Sequence, residues 1–80
     1  MNMKKILGRY KTKDLSEATT LVVKGMRLLE IVREENKCWF VFENSTKRDT
    51  VSNSYWYGRC LVDAKTYYQA NMTLKSQIFI

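Results

Sequence analysis

Two strand-like runs separated by four polar residues constrain the fold of this chain more than any other feature. Residues 27–33 place alternate side chains on opposite faces of an extended chain, and residues 38–43 read CWFVFE, rich in aromatic and β-branched types. The polar residues 34–37 between them have the length of a turn, so we predict an antiparallel β-hairpin. In its second strand Trp39 and Val41 face away from Phe40 and Phe42. Both faces therefore carry apolar side chains, which predicts a central or covered strand.

Three helices are predicted from capping residues and apolar spacing. The first spans residues 14–24, with Asp14 as N-cap and Glu17 completing a capping box. A second and more polar helix begins after caps at residues 44–46, and Asp63 caps a third helix that runs toward the C-terminus. These acidic residues are therefore interpreted as helix caps or first-turn residues and not as catalytic acids.

The chain length allows one domain with a small hydrophobic core, since it has 80 residues. Residues 8–13 form either an edge strand added to the hairpin or a flexible arm. We predict an α+β fold, a single domain over residues 9–80 in which the antiparallel hairpin packs against about three helices. Residues 1–8 are assigned to a basic N-terminal arm.

The chain lacks the residues that several classes of function require. The chain has no histidine, and Cys38 and Cys60 lie far apart, so we expect no metal site and no activated nucleophile. The three glycines are isolated, which argues against a phosphate-binding loop. We expect no enzyme activity and no cofactor. The two thiols are expected to be reduced and buried, with one disulfide as the alternative.

Apolar runs are too short for a membrane span or for a secretory signal, because Ile6 and Leu7 are the only apolar pair in the basic start MNMKKILGRYK. An anchor lying on an anionic membrane surface would also need more apolar length. We therefore expect a cytoplasmic protein with no membrane partner.

The order of motifs resembles a family of short proteins of unknown function from phages and Gram-positive bacteria. The resemblance rests on TKDL, KGMRLLEI, CWFVFE, a YW pair before glycine, LVDAKTYY and LKSQIF, and it covers roughly residues 9–79. It implies a compact domain of phage or mobile-element origin, acting in a bacterial host cell. It implies no activity and assigns no functional residue.

Positive charge is concentrated at the start of the chain. The net charge is +6, and five of the fourteen basic residues fall in the first thirteen positions without an acidic residue: Lys4, Lys5, Arg9, Lys11 and Lys13. Such a patch attracts polyanions, and Tyr10 within it is a candidate for stacking on a base. Lys24 and Arg27 are candidates to extend it. We predict nucleic-acid binding without strong sequence specificity, and the alternative is a merely solvated terminus.

Aromatic residues of the second and third helices suggest a second function, binding of a protein partner. Trp56 and Tyr67 fall at core-like helical positions, whereas Tyr57 and Tyr68 are expected at the surface as contacts for a protein partner. The second hypothesis is therefore a protein-interaction module that inhibits a host enzyme or defence complex. A homodimer, formed through the open edge of the hairpin or the apolar C-terminus, is a third possibility.

Overall fold

The structure is a computed structural model that describes residues 8–78. It confirms the predicted α+β fold, with a three-stranded antiparallel sheet and three helices. The elements follow in the order β1 Arg9–Thr12, α1 Leu15–Val23, β2 Leu28–Glu34, β3 Lys37–Glu43, α2 Thr46–Trp56 and α3 Ala64–Ile78. Residues 1–7 of the predicted arm, including Lys4 and Lys5, lie outside the described residues, as do Phe79 and Ile80.

The sheet has the strand order β1-β3-β2, with both neighbours antiparallel to the central strand. The predicted hairpin is formed by β2 and β3, and Glu34 pairs with Lys37 at its closed end. The turn between them is tighter than predicted, because it consists of residues 35–36 alone, and Glu35 takes up the left-handed backbone with φ 56°. Residues 9–12 form the edge strand rather than an arm, so β3 is central as expected.

The helices cover one face of the sheet, where the core lies. Phe40 and Phe42 point to this face and pack with Ala18, Leu21 and Leu74. Apolar side chains from all three helices surround this cluster. The side chains of β3 alternate, so Trp39, Val41 and Glu43 point to the opposite face. We call this the outer face of the sheet.

Helix α1 begins as predicted but only half of the capping box is formed. The Asp14 carboxylate accepts a hydrogen bond from the Glu17 amide at 2.8 Å. Glu17 does not reach back to the Asp14 amide, which donates instead to the Thr12 hydroxyl at 3.1 Å. The Glu17 side chain is only 1% exposed and turns inward to a polar cluster. The reciprocal half of the predicted capping box is therefore wrong.

That polar cluster joins α1, α2 and β1. The Glu17 carboxylate accepts hydrogen bonds from the Tyr10 hydroxyl at 2.6 Å and from the Ser52 hydroxyl at 2.7 Å. The Arg48 guanidinium donates to Ser52 at 3.0 Å and lies 3.7 Å from the centroid of the Tyr10 ring. Helix α2 has little apolar surface, so these contacts explain how a polar helix docks on the domain. Its N-cap is Ser45, one of the predicted caps.

Helix α3 packs against α1. Asp63 caps it as predicted, accepting from the Thr66 amide at 2.9 Å. The Asn71 amide donates to the Thr19 hydroxyl at 3.1 Å. At the end of the helix, the Arg33 guanidinium on β2 donates to the carbonyls of Gln77 and Ile78, which ties the last turn to the sheet. None of the helices in residues 8–78 is long and apolar enough to cross a membrane.

Candidate nucleic-acid interface

The outer face of the sheet brings two of the predicted basic residues to one aromatic ring. Lys11 on β1 and Lys13 just after it place their ammonium groups 4.9 Å and 5.5 Å from the centroid of the Trp39 ring. Each such cation–π contact at an exposed site is worth about 0.5–1 kcal/mol. The contacts between the two lysines and the Trp39 ring are therefore weak.

These two lysines lack acidic partners within the described part of the chain. The ion pairs found among residues 8–78 are Arg9 with Glu30 and Arg48 with Asp49. Two like charges held near one ring repel each other, and an anion placed between them would relieve that repulsion. We call Lys11, Lys13 and Trp39 the lysine–tryptophan site.

Arg9 lies on the same face but its charge is already paired. Its guanidinium contacts the Glu30 carboxylate at 2.7 Å, which links β1 to β2 across the central strand. Val41, which pairs with Lys11 and Glu30 in the sheet, is buried there at 3% exposure. Exposed ion pairs of this kind contribute about 0–1 kcal/mol. Arg9 thus borders the site with its charge already paired to a carboxylate.

Tyr10 points away from this surface. Alternation along β1 puts it on the core side with its partner Phe42, and its hydroxyl donates to Glu17 as described above. Burial, and then the hydrogen bond to Glu17, raise the pKa of the Tyr10 phenol above its ordinary value. The structure therefore does not bring Tyr10 to the predicted stacking role. The aromatic ring that lies beside Lys11 and Lys13 is Trp39, which sequence reasoning did not select.

The two residues expected to extend the patch are separated from the site. Lys24 follows α1 in the helical layer, and its ammonium group donates to the Leu61 carbonyl at 2.7 Å. The Arg27 carbonyl accepts from the Glu43 amide at 3.0 Å, on the side of β3 opposite to Arg9. Neither residue adjoins Trp39 among the described contacts.

Acidic residues limit the site on the hairpin side. A shallow cleft beside Trp39 is lined by Glu34, Glu35 and Lys37. Two carboxylates at this end disfavour a polyanion, whereas the β1 side offers Lys11 and Lys13. The positive charge next to Trp39 therefore lies on the β1 side of the ring.

Large apolar side chains are also exposed on α2, on α3 and in the segment between them. Five of them are between 46% and 86% exposed: Trp56, Tyr57, Leu61, Tyr68 and Met72. We call these residues the aromatic patch. Tyr57 and Tyr68 are at the surface as predicted. The prediction that Trp56 belongs to the core is wrong, because Tyr55 occupies the inward position near Asp14, at 3.1 Å, and Trp56 packs edge-on against Tyr55.

A set of side chains for metal binding is not assembled within residues 8–78. No cluster of three or more histidine, cysteine, aspartate or glutamate side chains that could hold a metal ion occurs there. Cys38 and Cys60 are free thiols, each half-buried, so the alternative of a disulfide is wrong.

A family model described as "Domain of unknown function (DUF5659)" matches residues 8–80. The chain therefore belongs to the DUF5659 family, which agrees with the resemblance to an uncharacterised family. No curated protein and no solved structure matches the chain.

Proposed function

We propose that this member of the DUF5659 family binds nucleic acid through the outer face of its sheet. The observation that carries the proposal is the pair of ammonium groups, Lys11 and Lys13, held over Trp39 without carboxylate partners among residues 8–78. Lys4 and Lys5 precede this strand in the chain and add charge of the same sign. The protein acts by binding and not by catalysis.

Lysine contacts of this type favour affinity over sequence specificity. An ammonium group near a phosphate releases condensed counterions, and the resulting affinity falls as salt rises. Phosphate contacts position a protein on the chain but carry no direct base information. Binding with little sequence preference follows from this set of side chains.

The test is a fluorescence anisotropy titration with a labelled oligonucleotide at several salt concentrations. The double variant Lys11→Ala/Lys13→Ala should weaken binding and reduce the slope of log K against log salt by about 0.7–0.9 for each lysine that contacts a phosphate. The matched control is Lys65→Ala/Lys75→Ala, which removes two exposed lysines from α3 and should leave the slope unchanged. No binding at low salt, or equal slopes for the two double variants, would refute the proposal.

The setting proposed for this activity is the cytoplasm of a bacterial host, with a phage or mobile element as the source of the gene. Support comes from the resemblance of the motifs described above and from the basic, compact character of the domain. Replication genes beside this one would favour the nucleic-acid function, whereas genes for inhibitors of host defence would favour the second candidate.

The second candidate is a protein-interaction module that inhibits a host enzyme or defence complex. The aromatic patch favours it, because tryptophan and tyrosine are enriched at the energetic centres of protein interfaces. Capture from host lysate, before and after nuclease treatment, separates the two functions: a partner that survives nuclease supports the protein module. The variant Tyr57→Ala/Tyr68→Ala should then lose that partner and keep any affinity for oligonucleotides. Sedimentation across a concentration series tests the third possibility, a homodimer formed through the open edge of the hairpin or the apolar C-terminus.

A further inference from the structure

We infer that the ligand is single-stranded nucleic acid and that one of its bases stacks on Trp39. This inference rests on the proposed function and names the form of nucleic acid that the site accepts. It follows from the position of Trp39, from the contacts over its ring, and from what a duplex can present to that ring.

Trp39 lies on the outer face between the residues of β3 that pair with β1 and the hairpin turn. It belongs to the central strand β3, where its partner on the β2 side is Val32. On the β1 side, the Lys11 ammonium group lies 4.9 Å from the ring centroid. The ring thus has neighbours in both adjacent strands, and a flat π-surface supported in this way is what single-strand binding proteins use as a platform for bases.

Exposed lysines cover the face of the Trp39 ring. Trp39 is half-buried, and the ammonium groups of the exposed residues Lys11 and Lys13 lie within 5.5 Å of its ring centroid. A base that stacks on this face displaces the ammonium groups. The displaced ammonium groups then pair with the phosphates on either side of that base. The exchange replaces two weak cation–π contacts with one stacking contact and two charge pairs.

A duplex cannot make this exchange at the same affinity. Each base in a duplex is covered by its neighbours on both sides, so stacking on Trp39 requires the base to be extruded first. Duplex phosphates can still meet Lys11 and Lys13. The site therefore distinguishes the two forms through Trp39, while the lysines contribute to both.

The experiment compares a labelled oligothymidylate with a duplex of equal length, using the full chain. Trp39→Ala should weaken binding of the single strand roughly 5- to 150-fold, the usual contribution of one stacked base, and should change duplex binding by less than about twofold. Trp39→Phe, which keeps an aromatic face, should retain most of the affinity. The matched control Trp56→Ala removes the other tryptophan and should leave both affinities unchanged.

A spectroscopic readout keeps the test valid if Trp39→Ala fails to fold. In the Trp56→Phe variant Trp39 is the sole tryptophan, and its fluorescence should be quenched on binding the single strand but not on binding the duplex. Equal affinity for both forms, with no quenching and no effect of Trp39→Ala, would overturn the inference and leave the proposed function standing. Absence of binding to either form would overturn the proposed function itself.

Discussion

Removing the buried carboxylate of Glu17 should destabilise the domain more than any surface change. Glu17→Ala deprives the hydroxyls of Tyr10 and Ser52 of their common acceptor, to which they donate at 2.6 Å and 2.7 Å. Hydrogen bonds to a charged group contribute about 1.5–3 kcal/mol each. Because both donors share one carboxylate oxygen, the two contributions are not fully additive. We expect a loss of about 3–5 kcal/mol in the free energy of unfolding.

Urea unfolding followed by circular dichroism measures this loss. Thermal unfolding provides a second measurement. Because 1 kcal/mol corresponds to about 4–8 °C for a domain of this size, the melting temperature of Glu17→Ala should fall by roughly 12 °C or more. The matched control is Glu43→Ala, an exposed glutamate whose removal should cost about 0.5 kcal/mol or less. Glu17→Gln keeps the shape and one carbonyl acceptor, so its cost should lie between the two.

A small effect of Glu17→Ala would contradict a stabilising role of the polar cluster. If the free energies of unfolding of Glu17→Ala and Glu43→Ala differ by less than about 1 kcal/mol, with the same slope against urea concentration, the hydrogen bonds that join α1, α2 and β1 do not hold the helical layer to the sheet. The docking of the polar helix α2 would then need another explanation.

Two further predictions concern stability. Folding raises the pKa of the Tyr10 phenol, so its contribution to the free energy of unfolding is complete below the ordinary phenol pKa of 10.0 and is lost as pH rises through the higher folded value. In urea titrations at alkaline pH, Tyr10→Phe should therefore lose less stability above pH 10 than the parent protein. Equal alkaline profiles of the two proteins would contradict this prediction. Ser45→Ala removes the acceptor for the Arg48 amide, at 3.0 Å, and should cost about 1 kcal/mol by thermal unfolding; no measurable change would show that the cap does not limit the stability of α2.

Local patterns in the sequence predict most of the fold. The hairpin follows from the composition of CWFVFE and the polar turn, and Asp14, Ser45 and Asp63 mark the helix starts because their side chains satisfy free amides. The role of Glu17 could not be predicted in the same way. Its position in the first turn suits a capping box, and only the approach of Tyr10 and Ser52 from other elements draws it inward.

The candidate site was predictable in part. Alternation along β1 already separates Lys11 from Tyr10, so the inward direction of Tyr10 has a local signal. Trp39 was placed on the face away from Phe40, but its meeting with Lys11 and Lys13 depends on β1 pairing with β3 rather than with β2. The apolar side chains on both faces of β3 favour its central position, but no local pattern brings Lys13 to the ring.

The exposure of Trp56 had no local signal either. Trp56 and Tyr55 are neighbours at the end of α2, and both have the size and apolar surface of core residues. The hydrogen bond between Tyr55 and Asp14 decides which ring turns toward α1. This contact is tertiary, so helical spacing alone assigned the wrong residue to the core.

The most direct test of the central claim is a nuclear magnetic resonance titration of the isotope-labelled protein with a single-stranded oligonucleotide. The account predicts shift changes at the Trp39 indole N–H and at the amides of Lys11, Lys13 and Val41, with little change along α3. Changes confined to Trp56, Tyr57 and Leu61, or no changes at low salt, would contradict it.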